Sequence, residues 1–210
     1  MRSNAKDNER RLYEIADNQG GYFTAKQARS AGYYNRLQHY HKETGDWEAI
    51  ERGIYRLRNY PHSEREDLIR WSLWSFNRKG EPQATFSHDT ALAFHGIGDF
   101  MPARIHITVP PTFRKKISGG CVVHRASLPT SDVEQHAAFK VTTPLRSLFD
   151  AYAEHAEPDQ LERAIADALS RGIVRMDQAE QESSDPRMSE FLSHVRALRN
   201  KLAHGVPPNA

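Results

Sequence analysis

Two hundred and ten residues suffice for one sizeable core, or for a module of about 60 residues joined to a larger one. Hydrophobic residues at 38 %, charged at 27 % and aromatic at 10 % exclude a disordered or fibrous chain. No apolar run approaches the roughly 18 to 20 residues of a bilayer crossing, MRSNAKDNERRLYEI lacks an apolar signal core, and Cys121 is the single cysteine. A membrane span, a disulfide framework and a multi-cysteine zinc site are thereby excluded, and a cytoplasmic protein is expected.

The net charge of +2 divides unevenly: residues 1–60 carry eleven Lys plus Arg against eight Asp plus Glu, residues 61–210 eighteen against nineteen. The first module is the basic one, an asymmetry that needs a fold before it points to a partner. In NAKDNERRLYEIADNQGG, Leu12, Ile15 and Ala16 recur at helical spacing, predicting a helix over 4–18 that Gly20 and Gly21 stop. Thr24 and Gln27 have capping-box spacing, so a second short helix is expected over 24–31, ended by Gly32. A third follows in YYNRLQHYHKET: Tyr33, Leu37 and Tyr40 are spaced to face inward, leaving Asn35, Arg36, Gln38, His39 and Lys42 outward. From Asp46 the period changes to alternation, and DWEAIERGIYRLRNYP reads as two strands around a Glu51-Arg52-Gly53 turn. Tyr55 and Leu57 would point one way and Ile54, Arg56 and Arg58 the other. This order is that of a winged helix-turn-helix over residues 1–60, with Pro61 ending the module.

A second capping box, Ser63 to Glu66, opens a helix through LIRWSLWSFNRKG, with Leu68, Trp71, Leu73, Trp74 and Phe76 as a bulky apolar face. The pattern then predicts a helix over 87–95 closed by Gly96 and a strand in RIHITVPP with Ile105, Ile107 and Val109 on one face. Strands in CVVHRA and AFKVTT follow, then a helix opened by Thr143-Pro144 through PLRSLFDAYAEH, another over 158–170 and a last over 185–204. Residues 61–210 thus form a mixed domain. The fold class is α+β, an N-terminal winged helix-turn-helix followed by a mixed α+β C-terminal domain.

In a winged helix the third helix enters the major groove, where side chains that donate and accept in pairs distinguish base pairs. Arg36 suits guanine, and Asn35 and Gln38 suit adenine. Lys26, Arg29 and Lys42 are placed for phosphates, as is Thr24 at a helix start with free backbone donors. Arg52, Arg56 and Arg58 fit either DNA contact or a solvated strand face, Tyr34 fits phosphate, stacking or packing, and His39 and His41 are ambiguous. In the second domain, Asp89, His95, Arg104, His106, His124, Arg146 and Asp150 show no metal-ligand spacing such as H-E-x-x-H. No catalytic residue, no metal and no cofactor are expected. Ser87 caps a helix, and Arg146 with Asp150 forms an i, i+4 pair worth on the order of a few tenths of a kcal/mol. Arg114 to Lys116, before Ile117-Ser118-Gly119-Gly120, read as a solvated hairpin loop or a nucleic-acid contact.

GGYFTAKQARSAGYYNRLQHYHKETGDWEAIERGIYRL resembles the N-terminal domain of AbiEi-family antitoxins, the regulatory half of type IV (AbiE-type) toxin–antitoxin systems. Gly21, Tyr22, Phe23, Thr24, Gln27 and Ala28 match the family's entry motif, and Arg52, Gly53, Ile54, Tyr55, Arg56 and Leu57 its wing. SHDTALAFHGIGDFMPARIHITVP resembles the family's S-x-x-[ST]-A-L-x-x-[HL]-G helix with its following strand, and KVTTPLRSLFD a further segment, so the likeness covers about residues 10 to 175. Where many relatives carry several arginines in the recognition helix, this chain has Arg36 and Lys42. The resemblance implies a bacterial autorepressor whose winged helix binds inverted repeats in its promoter as a monomer or weak dimer. It also implies a C-terminal domain that neutralises a nucleotidyltransferase-like toxin from the adjacent gene, by direct contact or through a shared target.

Two other readings stand beside this one. Arg199-Asn-Lys-Leu-Ala-His204 resembles the R-[ND]-x-x-x-H motif of HEPN-type ribonucleases, in which Arg and His handle phosphate charge and proton transfer. The spacing is cheap, since Arg36 and His41 share it, and a HEPN domain is a helical bundle. A ligand-responsive regulator would instead place an effector pocket among Trp71, Trp74, Phe86 and Phe94.

Overall fold

The computed structural model describes residues 2–117, 119–154, 156–175 and 186–204. The expectations touching Ser118, His155, residue 185 and the 205–210 tail lie outside them. The chain divides into two compact units, residues 1–84 with 135–140, and residues 85–134 with 141–210. The first unit therefore continues past Pro61, and the helix that follows it belongs with the winged module rather than with the second domain.

The first unit opens with α1 (Arg2–Asp17), β1 (Tyr22–Thr24), α2 (Ala25–Ser30), α3 (Asn35–Glu43), β2 (Trp47–Glu51) and β3 (Ile54–Leu57). The strands form an antiparallel sheet in the order β1-β3-β2, so the hairpin gains a third strand of three residues, too short to carry an alternation signal. Leu12 and Ala16 of α1, Phe23, Ala28, Ala31, Tyr33 and Trp47 are the core, and the Phe23 and Trp47 rings meet edge to face at 4.8 Å. Gly21 ends the first helix by donating its N–H to the Ala16 carbonyl at 2.7 Å. It has a φ of +87°, and a Cβ there would stand 2.5 Å from the Tyr60 ring, so only glycine fits. The Thr24 capping box forms as expected: Thr24 Oγ1 accepts from the Gln27 N–H, and Gln27 Oε1 accepts from the Thr24 N–H at 2.8 Å.

α4 (Glu66–Trp74) packs on β1 and β3 through its buried Leu68, Ile69 and Leu73. The expected Ser63 box forms only in half: Glu66 Oε1 accepts from the Ser63 N–H at 3.1 Å, but the N-cap position is Arg65 and no side chain caps the helix, while the other Glu66 oxygen accepts from the Tyr22 hydroxyl at 2.9 Å. The helix consequently starts at Glu66. It stops at Trp74, short of the Phe76 expected on its apolar face, and Ser75 Oγ accepts the backbone N–H groups of Gln83 and Ala84.

The second sheet runs through β4 (Thr85–Phe86), β5 (Ile105–Val109), β6 (Cys121–Arg125), β7 (Val133–Gln135) and β8 (Lys140–Thr142) in the order β6-β5-β4-β8-β7, all but Gln135 and Lys140 belonging to the second unit. β5 pairs antiparallel with β4 and parallel with β6. The 110–120 segment therefore joins parallel neighbours and is not the expected hairpin loop, although Arg114, Lys115 and Lys116 are exposed. α5 (His88–His95), α6 (Pro144–Ala153), α7 (Pro158–Ser170) and α8 (Pro186–Ala203) complete the eight α-helices among the described residues. Leu92, Leu148, Phe149, Leu161, Ile165, Phe191, Val195 and Leu198 from these four helices form one core. Proline at the first position of α6 and α7 fixes a helical φ where no N–H is needed, and Thr143 caps α6. Among the described residues no helix is long and apolar enough to cross a membrane.

Candidate nucleic-acid interface

α2, the turn at Gly32 and α3 form the helix-turn-helix, and β2 and β3 with the Arg52-Gly53 tip form the wing. The outward side of α3 is not the one its spacing predicts. Tyr33 precedes the helix, so counting the period from it misphases the face: Leu37 is 43 % and Tyr40 58 % exposed, while Gln38 is 5 % exposed. The inward positions are Gln38, His41 and Lys42. Gln38 is therefore not a base reader, because its Nε2 donates to the Ala25 carbonyl at 3.0 Å and to the Tyr33 carbonyl at 2.7 Å, closing the turn between α2 and α3. His41 stacks on Trp47 at 5.0 Å and bonds Asp46 at 2.9 Å, and that bond holds the Asp46 carboxyl below its ordinary range.

What remains outward on α3 is Asn35, Arg36, Leu37, His39, Tyr40 and Glu43, with Tyr34 at the helix start 67 % exposed. Arg36 has no hydrogen bond or ion pair to any described residue. Arg29 Nη2 donates to Asn35 Oδ1 at 3.1 Å, bridging the two helices on their exposed side. His39 stands 3.9 Å from Glu43, and Lys42 lies half-buried with its ammonium 5.9 Å over the Tyr55 ring. Lys26 is exposed and donates to the Arg78 carbonyl, and the Thr24 hydroxyl serves the capping box. At the wing tip Arg52 is exposed beside the open turn of Gly53, and Arg58 is exposed with its guanidinium against Gly45.

Arg56 is the second correction. β3 is the central strand, and α4 covers the face on which Arg56 points, so its side chain is 1 % exposed. It donates to the Tyr60 carbonyl, stands 3.7 Å from Glu66 and 3.8 Å from Glu48, and lies over the Tyr22 ring at 5.8 Å. Burial, with Glu66 beside it, pushes the Tyr22 hydroxyl up to about 12. This arginine joins β3 to α4 and presents nothing to a ligand.

The polar residues of the second unit are mostly turned inward. Arg146 donates to Asp150 at 2.7 Å and to Asp132 at 3.0 Å, and Asp150 is 5 % exposed, so the expected surface pair is a buried cluster. Desolvation pushes the Asp150 carboxyl up, against the pull of Arg146. His95 bonds the Thr142 carbonyl at 2.8 Å, Asp89 is half-buried and Arg104 exposed. His106 and His124 meet a third imidazole, His88, that sequence spacing did not single out. Trp71 and Trp74 pack edge to face in the first unit, whereas Phe86 and Phe94 belong to the second. On the α8 tail Arg199 is exposed, and His204 Nδ1 lies 2.7 Å from the Asn200 carbonyl, closing its own helix.

Residues 83–195 match the family model described as the AbiEi antitoxin C-terminal domain, and residues 10–58 match one described as a transcriptional regulator, AbiEi antitoxin. Among solved structures, the RV2827C protein from Mycobacterium tuberculosis has a similar fold, at 15 % identity and a TM-score of 0.53 over 90 % of this chain and 79 % of that one. None of the curated proteins compared matches the chain significantly.

Proposed function

The chain belongs to the AbiEi antitoxin family, and on that premise we propose that it represses its own operon by binding inverted repeats in the promoter and neutralises a nucleotidyltransferase-like toxin encoded next to it. The observation that carries the DNA reading is the outward side of α3. It presents Tyr34, Asn35, Arg36 and His39 exposed, with no second layer over them among the described residues, flanked by Arg29, Lys26 and Arg52. A guanidinium free of protein partners matches the paired acceptors of guanine, and the flanking cations match phosphates. The role is binding, not catalysis, with no metal or cofactor needed for it. Two copies on an inverted repeat require no dimer in solution.

Footprinting on the duplex upstream of the gene tests the repressor reading. Paired protected half-sites on adjacent major grooves are expected, and no protection above that on shuffled DNA would overturn it. For the antitoxin reading, the adjacent gene is induced with and without this one. Growth restored only by the pair is expected, and unchanged growth arrest would remove that part.

A further inference from the structure

Three imidazoles of the second unit converge from segments that are far apart in the chain. His88 opens α5, His106 is the second residue of β5 and His124 the fourth of β6. The register puts Thr108 opposite His124 on the parallel neighbour, so His106 and His124 leave the sheet on the same face. One nitrogen from each of the three rings lies within 4.8 Å of the other two, and His124 Nε2 is 3.3 Å from His106 Nδ1. Two nitrogens bound to one tetrahedral ion at about 2.0 to 2.1 Å stand about 3.4 Å apart. That pair already has the spacing of ligands.

The partners on the far sides of the rings fit the same role. Glu154, the residue that closes α6, stands 2.7 Å from His124 Nδ1 and, with the same oxygen, 3.8 Å from His88 Nε2, which leaves His124 Nε2 turned toward His106. Ser87 Oγ is 2.9 Å from His88 Nδ1 and accepts a hydrogen bond from the Thr108 hydroxyl at 2.8 Å. A carboxylate or hydroxyl behind the ring is what fixes the tautomer and aim of a metal-binding histidine. His88 is also the one non-glycine among the described residues with a positive φ, +52°, and such strain collects at sites that need a side chain in one place.

We propose that His88, His106 and His124 bind a divalent transition-metal ion, with Glu154 orienting His124 and a fourth position open to water. Three neutral imidazoles without a thiolate select Zn(II), Co(II), Ni(II) or Cu(II) over Mg(II) and Ca(II). The His88 and His124 rings now stack at 3.7 Å and 16°. Lone pairs lie in the ring planes, so coordination turns the His88 ring out of that stack. The ion would tie the start of α5 to β5 and β6, and through Glu154 to the end of α6.

The test uses the full chain, stripped with chelator and freed of any affinity tag, titrated with Co(II) and then displaced by Zn(II). Visible d–d bands of a low-coordinate, nitrogen-ligated Co(II) are expected to saturate at one equivalent and to bleach with Zn(II). His106→Gln and His124→Gln should each lose the bands. His88→Asn should do the same while keeping the fold, since Asn tolerates the left-handed backbone. Glu154→Gln should keep the bands and weaken Zn(II) by about 10- to 100-fold. Circular dichroism reports folding for every variant. The absence of bands in the parent, or bands that persist in folded His88→Asn and His106→Gln, would assign any binding to other surface histidines and overturn the site.

Discussion

On the outer side of α3, Arg36 and His39 stand in solvent with no described residue packed over them, while on α6 Arg146 and Asp150 are turned into the fold, where Arg146 pairs with Asp150 and Asp132 and Asp150 Oδ2 has no hydrogen-bond partner among the described residues. Both segments are helices with polar residues at helical spacing, and what separates them is whether a second layer covers that side. α3 has the Phe23–Trp47 core behind it and, among the described residues, no layer in front. α6 is packed by α5, α7 and α8, so a charge on it must find its partner within the fold. Arg56 shows the same rule inside the wing, because α4 supplies the cover there. An arginine's meaning follows from the layer over it, more than from the motif around it.

The comparison is broken most severely at Arg146. Arg146→Ala leaves Asp150 and Asp132 facing each other without a cation and should cost about 3 to 5 kcal/mol in chemical denaturation. The double variant Arg146→Met, Asp150→Leu should recover most of that loss. A loss within about 0.5 kcal/mol would mean that the cluster behaves as an exposed pair. Arg56→Ala should destabilise the winged unit by about 3 kcal/mol, somewhat less because its carboxylates stand 3.7 and 3.8 Å away. If instead stability held and only DNA affinity fell, Arg56 would be a DNA contact after all.

A smaller effect is expected from pH. Burial pushes the Glu66 carboxyl up, but the Ser63 N–H, the Tyr22 hydroxyl and His62 outweigh it and hold Glu66 below its ordinary 4.5. A carboxyl lowered in the folded state contributes stability that is fully present above 4.5 and is lost as pH falls through the lower folded value. Thermal unfolding of the winged unit should therefore become easier below pH 4.5, and Glu66→Gln should flatten that part of the profile. Identical profiles would show that Glu66 does not carry the dependence. The smallest change is expected at Lys26: Lys26→Ala should reduce the slope of log K against log salt by about 0.9 if its ammonium neutralises one phosphate. An unchanged slope would leave Lys26 as a bond to the Arg78 carbonyl alone.

Local chemistry was legible in the sequence wherever a residue acts on its own neighbours. The Thr24 box, the Thr143-Pro144 start and the 158–170 helix stand where capping and periodicity place them. Legibility failed where a side chain answers to a distant segment. Gln38 looked outward because nothing near it shows that the Ala25 and Tyr33 carbonyls need a donor. Glu66 also accepts from Tyr22, forty-four residues away, a tie that nothing near it in the chain announces. β1, β4 and β7 have two or three residues each and carry no period. His88, His106 and His124 sit eighteen residues apart along the chain, a spacing that matches no ligand motif, and only the parallel pairing of β5 with β6 brings them together.

The central claim is that the outward side of α3 reads DNA through Arg36. Fluorescence anisotropy of the full chain and of Arg36→Ala, on the duplex upstream of the gene and on a shuffled duplex at one salt concentration, tests it directly. The parent protein should discriminate between the two duplexes, and Arg36→Ala should lose about 1 to 3 kcal/mol on the first and little on the second. Equal losses on both duplexes, or no discrimination by the parent protein, would contradict the claim.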